Sequence, residues 1–223
     1  MAIEAVVALK TLSQSKRRLS AVLTDEQRCD LVEAMAWDVL SCLLGHPEIE
    51  TVHAVCGEGW VRSDFPEGAL VMWEEGENRE GGLIAAYEMV AAKTAAERLL
   101  FIHADLPFLG REDISAVIAA SSDHHTVLSP DLTETGTNAV LRWRHQSLPL
   151  CFGEDSFARH QEAAKATGTP WRVLRAHGVA RDVDEPKDLD RLNHKDPDLG
   201  EATARWSAVT GINVSMSATH RAC

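Results

Sequence analysis

The stretch RLLFIHADLPFL at residues 98–109 decides the fold class. Its first part, RLLFIH, is a continuous apolar run of the kind that is buried in a parallel sheet. Pro107 stops the strand from continuing, because proline cannot donate a hydrogen bond to a neighbouring strand. Ligands of such sheets bind beyond the carboxyl ends of the strands, so the sequence predicts that Asp105 points into a ligand crevice.

Strands and helices alternate on both sides of this segment. Further strands are predicted at 5–9, 51–56, 69–73, 126–129, 138–142 and 171–174, and helices at 25–44, 81–99, 111–121 and 156–167. Thr24 and Gln27 have the spacing of a capping box at the start of the first helix. The alternation predicts an α/β fold of three layers, in which a mostly parallel sheet has helices on both faces.

The length of 223 residues favours one domain, since single α/β domains commonly reach about 200–250 residues. We expect this domain to span residues 1–193, and residues 194–223 to form a polar tail of unassigned structure. The formal net charge is −12, and the only dense basic run is Lys16-Arg17-Arg18. Nucleic acid and anionic membranes are therefore not expected as partners.

The cysteines and the hydropathy pattern indicate the cellular compartment in which we expect the protein. Five scattered cysteines form no CxxC pair, so neither a disulfide framework nor a zinc site is expected. The first residues do not resemble a signal peptide, and no apolar run approaches the ~18 residues of a membrane span. We expect a cytoplasmic, soluble protein.

Two acidic segments are candidate metal sites. Asp105 follows its strand, and Asp182 and Asp184 lie in the stretch DVDEPKDL. Carboxylate oxygens suit Mg²⁺, but such residues also cap helices or favour the helix dipole. We expect Asp182 and Asp184 to face different sides of the chain, so that only Asp184 joins Asp105 at the ion.

The densest positive charge lies in and beside the loop after the first strand, at Lys10, Lys16, Arg17 and Arg18. Such a run is either a solvated loop or the group that neutralises the β and γ phosphates of a nucleotide. The sequence has no GxxxxGK[ST] stretch, which excludes a P-loop.

Two segments that combine glycine with hydroxyl side chains are candidate anion sites, GTN around Thr137 and FGEDS before the helix that begins at Ser156. Backbone N–H groups beside Gly136 and Gly153 could approach an anion closely, and both hydroxyls could donate to it. Ser156 is also a candidate N-cap, and each segment is equally consistent with a turn or a cap.

Two histidines lie near these candidate segments. His103 precedes Asp105 inside an apolar run, and His160 follows Ser156 by one helical turn. We interpret both as core residues rather than catalysts.

Taken together, these segments resemble the guanylyltransferases of coenzyme F-420 biosynthesis, the CofC/FbiD family. The matching stretches cover about residues 5–192 and are ALKTLSQSKRRLS, LTDEQRCDLVEAMAWDVL, HADLPFL, LSPDLTETGTNAVL, CFGEDSFARH and RDVDEPKDLDRL. HADLP and DVDEPKDL are typical of the wider nucleotidyltransferases with the GT-A-like (Rossmann-like) fold. GTNAVL followed by FGEDSFARH narrows the match to this family.

The resemblance implies a Mg²⁺-dependent enzyme that transfers GMP from GTP to a phosphorylated three-carbon acid, and a homodimer is the expectation that it gives for the assembly. The acid would be 2-phospho-L-lactate, phosphoenolpyruvate or 3-phospho-D-glycerate. By motif position it implies Asp105 and Asp184 as metal ligands, Lys10, Lys16, Arg18, Gly81 and Gly82 at the nucleotide, Thr137, Gly153 and Ser156 at the acceptor, and Lys16, Arg18 and Asp105 as the catalytic residues.

Two positions depart from the family pattern, and both lie where the family holds the nucleoside. Ile84 stands where the family usually has asparagine, and CGEGW at 56–60 replaces acidic or hydroxylic residues. The alternatives are a related nucleotidyltransferase of the molybdopterin or sugar-phosphate type, and a catalytically silent nucleotide-binding paralogue.

Overall fold

The computed structural model describes residues 2–73 and 82–212, and all the strands in this part of the chain form one sheet. The strands are β1 (Ile3–Leu9), β2 (Thr51–Cys56), β3 (Leu70–Trp73), β4 (Arg98–Ile102), β5 (Thr126–Pro130), β6 (Thr137–Trp143) and β7 (Trp171–Val173). Their order is β3-β2-β1-β4-β6-β5-β7. β6 runs antiparallel to β4 and β5, and the remaining neighbours pair in parallel.

Helices cover both faces of the sheet, which confirms the predicted three-layer α/β fold. The helices are α1 (Asp25–Leu44), α2 (Gly82–Lys93), α3 (Arg111–Ala120), α4 (Ser156–Thr167) and α5 (Glu201–Thr210). One buried cluster joins α1, α3 and α5 to the sheet, and the other joins α2 and α4 to its opposite face. None of these helices is long and apolar enough to cross a bilayer.

β1 illustrates why the sequence shows apolar runs rather than alternation. Successive side chains of a strand point to opposite faces, so Ala5 and Val7 enter one core cluster while Val6 enters the other. All three are fully buried, because helices lie over both faces.

The predicted start of α1 is confirmed in detail. The Thr24 hydroxyl accepts the Gln27 N–H at 3.2 Å, and the Gln27 side-chain oxygen accepts the Thr24 N–H at 3.0 Å. This reciprocal pair satisfies two backbone donors that the helix itself leaves open. Leu31, Met35 and Val39 then bury one face of α1 against the sheet.

The helix predicted at 81–99 is shorter in the structure, where α2 ends at Lys93. Thr94 ends it, since its hydroxyl donates to Glu4 at 2.6 Å and accepts the Ala96 N–H at 3.0 Å. A side chain that bonds the backbone in this way competes with helix continuation. Ala96 is then followed by β4 rather than by another turn of helix.

The segment after His194, for which the sequence predicts no structure, contains α5. Trp206 of α5 belongs to the core cluster beneath α1, and its indole N–H donates to the Gln27 carbonyl at 3.2 Å. Asp38 of α1 accepts the N–H groups of Ala202 and Thr203 at 2.9 and 2.8 Å. A residue of one helix therefore caps the start of another.

We expect Asp38→Ala to lower the free energy of unfolding by about 2 kcal/mol, because it removes a charged acceptor from the first turn of α5. Asp38→Asn keeps one acceptor oxygen and should lose about half as much. Urea unfolding of both variants measures the effect. A loss below about 0.5 kcal/mol for Asp38→Ala would mean that α5 does not depend on this cap.

Candidate active site

A cleft of about 610 Å³ lies at the sheet edge where the parallel strands end and β6 begins, and its volume is that of a typical ligand pocket. The sequence-predicted residues that line it are Lys10, Lys16, Gly82, Asp105, Thr137, Gly153, Ser156 and Asp184. Arg18 instead lines an adjoining pocket that shares Asp184 with the cleft. Gly81 lies outside the described residues.

The loop after β1 presents Lys16 to the cleft. Lys16 adopts a left-handed backbone conformation with φ 51°, and Arg28 of α1 fixes the preceding residue by donating to the Ser15 carbonyl at 2.6 Å. Arg28 is itself buried and paired with Asp25 at 2.6 Å. The basic run is therefore not simply a solvated loop, because its central lysine is held inward.

Lys16 joins the two carboxylates predicted to bind metal. Its ammonium nitrogen lies 3.0 Å from Asp184 Oδ1 and forms a short ion pair with Asp105. The Lys16 side chain is 8% exposed, against 23% for Asp105 and 44% for Asp184. Arg18 reaches Asp184 from the solvent side at 3.2 Å. These contacts bring residues from three distant parts of the sequence into one charged cluster.

The cluster shifts the pKa values of its members. Burial alone would lower the pKa of Lys16, but the charges of Asp105 and Asp184 outweigh burial and raise it above its usual range. Burial would likewise raise the pKa of Asp105, and the nearby Lys16 charge reverses this and lowers it. Both groups are therefore charged near neutral pH.

The residues present fit a magnesium ion. Asp105 Oδ1 is buried and has no hydrogen-bond partner among the described residues, so one carboxylate oxygen is left for a cation. No group of three or more Asp, Glu, His or Cys that could hold a metal occurs in residues 2–73 and 82–212. Mg²⁺ commonly takes only one or two carboxylates and completes its shell with phosphate oxygens and water. The carboxylates of Asp105 and Asp184 match this mode of Mg²⁺ binding.

The expectation that Asp182 and Asp184 face different sides is wrong. Both line the cleft, because residues two apart in an extended segment point to the same side. Burial and the charge of Asp105 raise the pKa of Asp182 to about 6, and Asn138 donates to it at 3.2 Å. Asp182 is thus a third acid at the site.

Backbone contacts hold the Asp184 segment beside Asp105. The Val183 N–H donates to the Asp105 carbonyl at 3.1 Å. Asp188, at the start of the following 3-10 helix, accepts the N–H groups of Asp184 and Glu185 at 2.9 and 2.8 Å. The acid that favours this helix start is therefore Asp188, which leaves the Asp184 side chain facing the cleft.

Thr137 and Ser156 meet on the other side of the cleft. Both are buried, and the Ser156 hydroxyl accepts the Thr137 N–H at 2.8 Å. The N-cap of α4 is Asp155 rather than Ser156, so the predicted cap is wrong by one residue. Gly153 has φ 116°, a conformation that favours glycine. The turn that precedes α4 therefore depends on this glycine.

His160 of α4 lies behind these hydroxyls. Its Nδ1 is 3.1 Å from the Thr137 hydroxyl, and its Nε2 accepts the Cys151 N–H at 2.9 Å. Burial lowers the pKa of His160 to about 4, so the ring is neutral near pH 7.

This buried histidine predicts a pH dependence of stability. In the unfolded chain its pKa is about 6.5, so between pH 6.5 and pH 4 the unfolded state binds a proton that the folded state does not. The stabilisation that neutral His160 gives to the folded state is therefore complete above pH 6.5 and is lost as the pH falls towards 4. We expect the free energy of unfolding of wild type to fall by up to about 3 kcal/mol more than that of His160→Gln between pH 7 and pH 4. Parallel urea-unfolding profiles would contradict this assignment.

The end of the cleft near Lys10 contains the two family departures. Trp60 and Ile84 both line the cleft, and the Trp60 indole N–H donates to the Lys10 carbonyl at 2.9 Å. Lys10 is exposed at the rim. This end therefore offers an aromatic ring and apolar side chains.

Sequence reasoning left out Asn138, Asp182 and His103, all of which line the cleft. Asn138 is buried in β6 and bonds both the Val179 carbonyl, at 2.9 Å, and Asp182. A polar residue inside an otherwise apolar strand is the signal that could have found it. The other two were visible in the sequence but were assigned to a helix dipole and to the core.

The fold has solved counterparts among nucleotide-using transferases. A putative nucleotide-diphospho-sugar transferase from Desulfovibrio desulfuricans superposes with a TM-score of 0.74 at 14% identity, covering 96% of this chain and 98% of that one. A CMP:2-keto-3-deoxy-manno-octonic acid synthetase gives 0.59 at 12% identity, with 86% and 96% covered. Such low identity relates the folds alone.

The chain has a basic loop after β1 and a carboxylate after β4, and the relatives that it matches are guanylyltransferases, a class of nucleotidyltransferase. The model of the family described as "Guanylyl transferase CofC like" matches residues 3–221. The chain therefore belongs to the CofC-like guanylyltransferase family.

The curated relatives of this chain are named as guanylyltransferases of three different acceptors. A phosphoenolpyruvate guanylyltransferase from Sphaerobacter thermophilus is 34% identical over 84% of this chain and 91% of its own. A 3-phospho-D-glycerate guanylyltransferase from Phenylobacterium zucineum is 32% identical, with 83% and 87% covered. A 2-phospho-L-lactate guanylyltransferase from Methanothermobacter thermautotrophicus is 27% identical, with 84% and 82% covered.

Proposed function

We propose that this protein is a Mg²⁺-dependent guanylyltransferase that transfers GMP from GTP to a phosphorylated three-carbon acid and releases pyrophosphate. The acid would be phosphoenolpyruvate, 3-phospho-D-glycerate or 2-phospho-L-lactate, and the product would enter coenzyme F-420 biosynthesis. The observation that supports this most is the bridge from Lys16 to Asp105 and Asp184, which faces a cleft shared with the buried hydroxyls of Thr137 and Ser156.

The reaction needs little acid–base chemistry. A phosphate oxygen of the acceptor forms a bond to the α-phosphorus of GTP, and the bond from that phosphorus to the β-phosphate oxygen breaks. Pyrophosphate leaves with the electron pair. Because the second pKa of a phosphate monoester is about 6, the attacking oxygen is largely ionised near pH 7 and requires no general base.

The principal barrier is the repulsion between two polyanions that must be aligned for in-line attack. Asp105 and Asp184 would hold the magnesium ion, which supplies positive charge at the reacting phosphates. Lys16 and Arg18 lie beside these carboxylates and would neutralise charge on the departing pyrophosphate, with Lys10 at the rim. These cations would offset the repulsion that a chain of net charge −12 otherwise exerts on polyanionic substrates.

Thr137, Gly153 and Ser156 would hold the acceptor. Their side of the cleft offers buried hydroxyls and a glycine turn to an anion that must stay reactive. The Arg159 guanidinium lies beside Gly153 but is not among the described residues that line the cleft. Mild donors bind such an anion without neutralising the oxygen that attacks.

The direct test is to incubate the purified protein with Mg²⁺, GTP and each acid in turn, and to follow pyrophosphate release and the guanylylated product by mass spectrometry. We expect release with at least one acid and none when Mg²⁺ or the acid is omitted. Nucleotide binding without release would instead support a silent paralogue.

The identity of the base needs its own measurement, since Trp60 and Ile84 line the cleft where the family departures lie. Pyrophosphate release with GTP, CTP and ATP, compared at one acceptor concentration, separates a guanylyltransferase from a cytidylyltransferase of the sugar-phosphate or molybdopterin type. Preference for CTP would favour that alternative.

We expect Ser156→Ala to raise the KM for the acceptor by about tenfold and the KM for GTP by less than about threefold, because it removes one donor to the anion. Initial-rate kinetics with each substrate varied in turn measure this. Ser129→Ala is a matched control, since Ser129 is a buried serine of the neighbouring strand β5 that does not line the cleft. An unchanged acceptor KM in Ser156→Ala would place the acceptor elsewhere.

A further inference from the structure

His160 contacts the proposed acceptor site without lining the cleft. It is fully buried on α4, one turn after Ser156, and its ring packs edge-on against Phe152 at a centroid distance of 5.1 Å. Its two nitrogens contact different groups: Nε2 accepts from the backbone of Cys151, and Nδ1 faces the hydroxyl of Thr137. The ring also forms a hydrogen bond with the backbone of Ser156, one turn earlier in α4. The ring therefore links the turn before α4 to the first residue of β6.

These contacts decide which nitrogen bears the proton. The Cys151 N–H can only donate, so Nε2 must accept through its lone pair. A neutral imidazole then has its hydrogen on Nδ1. Since Nδ1 faces the Thr137 oxygen at 3.1 Å, the histidine donates and the hydroxyl accepts.

The direction of this bond determines what Thr137 can do. Its oxygen accepts from His160, so its own hydrogen points to another acceptor. The Ser156 hydroxyl is also left with its hydrogen to donate elsewhere, because its oxygen accepts the Thr137 N–H. Within residues 2–73 and 82–212 neither hydroxyl donates to a protein group, and both residues line the cleft. Two hydroxyls with free hydrogens form a site for an anion.

We propose that His160 is a positioning residue for the acceptor: by donating to Thr137 it keeps that hydroxyl a donor towards the phosphate or carboxylate of the bound acid. The proposal rests on the proposed function for the identity of the ligand. It gives a buried helix residue a role in substrate affinity, beyond its place in the core.

Two substitutions separate the two nitrogens. In His160→Asn the side-chain amide lies near the position of Nδ1 and still donates to Thr137, whereas the bond to Cys151 is lost. In His160→Gln the amide oxygen lies near Nε2 and still accepts from Cys151, whereas the donor to Thr137 is lost. His160→Gln also loses the ring's bond to the Ser156 backbone, so the two variants can differ in stability. A purely structural role therefore predicts a difference in the free energy of unfolding without a matching difference in the KM for the acceptor.

We expect His160→Gln to raise the acceptor KM by about tenfold and His160→Asn by less than about threefold. The KM for GTP and the kcat at saturating acceptor should change little in either variant. Equal acceptor KM values in two folded variants would overturn the proposal, as would a larger effect in His160→Asn.

A double-mutant cycle with Thr137→Val gives a second test, in which His160→Gln serves only to remove the donor to Thr137. Thr137→Val alone should raise the acceptor KM by about tenfold, and adding His160→Gln should raise it little further, because both changes remove the same donor. Thr137→Ser keeps the hydroxyl and should raise the acceptor KM less than Thr137→Val. Additive effects in the cycle would overturn the proposal. An unaffected Thr137→Val would also overturn it, and this result can be obtained even if the His160 variants fail to fold.

Calorimetric titration with 3-phospho-D-glycerate and with phosphoenolpyruvate, without GTP, distinguishes failure of this proposal from failure of the proposed function. Binding by wild type that weakens in His160→Gln but not in His160→Asn supports the role of His160 even if no guanylyl transfer occurs. Transfer by wild type without this difference between variants refutes the role of His160 alone. Neither transfer nor binding by wild type refutes both.

Discussion

Asp105→Asn is expected to lower kcat for guanylyl transfer by about 10³-fold, the size expected when a charge that organises the transition state is removed. Asp105 is the more enclosed of the two proposed ligands, and its Oδ1 has no partner among the residues that the structure describes. An amide presents one oxygen without negative charge, so it would hold a divalent cation weakly at this position. Raising Mg²⁺ should therefore restore only part of the activity.

The measurement is pyrophosphate release at saturating GTP and acceptor over a range of Mg²⁺ concentrations, with far-UV circular dichroism to establish folding. Asp190→Asn is the matched control, because this exposed carboxylate lies in the 3-10 helix that follows Asp184 but lines neither pocket. It should retain activity within about threefold. Activity of a folded Asp105→Asn within tenfold of wild type would rule out Asp105 as the principal metal ligand.

Much of this site could be predicted from the sequence because its residues directly follow strands. An apolar run followed by an acid and a proline, as in RLLFIHADLP, indicates both a buried strand and the edge at which it ends. The same reasoning applies to Lys16, in the loop after β1. Thr137 instead begins the antiparallel strand β6 and is predicted from the glycine and hydroxyl of GTN. In the structure all three residues line one cleft.

The features that could not be predicted from the sequence depend on contacts between distant segments of the chain. α5 has the sequence EATARWSAVT, whose polarity resembles that of a tail, and its start is capped by Asp38 from α1. The tautomer of His160 is set by the backbone of Cys151, which no periodicity reveals. The position of Asp182 was predictable, because residues two apart in an extended chain share a side, and it was misassigned.

The second large effect is expected from Lys16→Met, which keeps the length of the side chain and removes its charge. We expect kcat to fall by about 10²–10³-fold, since a buried ammonium acts on phosphate charge in a medium where water screens it poorly. Lys10→Met removes a charge from the exposed rim of the same cleft and should cost about tenfold or less. Comparable losses in the two variants would contradict a special role for Lys16.

Lys16→Met should also change how the protein binds Mg²⁺ in the absence of GTP. In the structure the Lys16 ammonium contacts both Asp105 and Asp184, so it competes with any cation for the same carboxylates. Without that competitor the two acids repel each other, the free energy of unfolding should fall, and Mg²⁺ should bind more tightly and raise the Tm more than in wild type. A variant that is slower in catalysis yet binds the metal more tightly is not expected if Lys16 merely supports the fold. Calorimetric titration with Mg²⁺ decides the point, because weaker binding by the variant would show that Lys16 and the ion do not share these carboxylates.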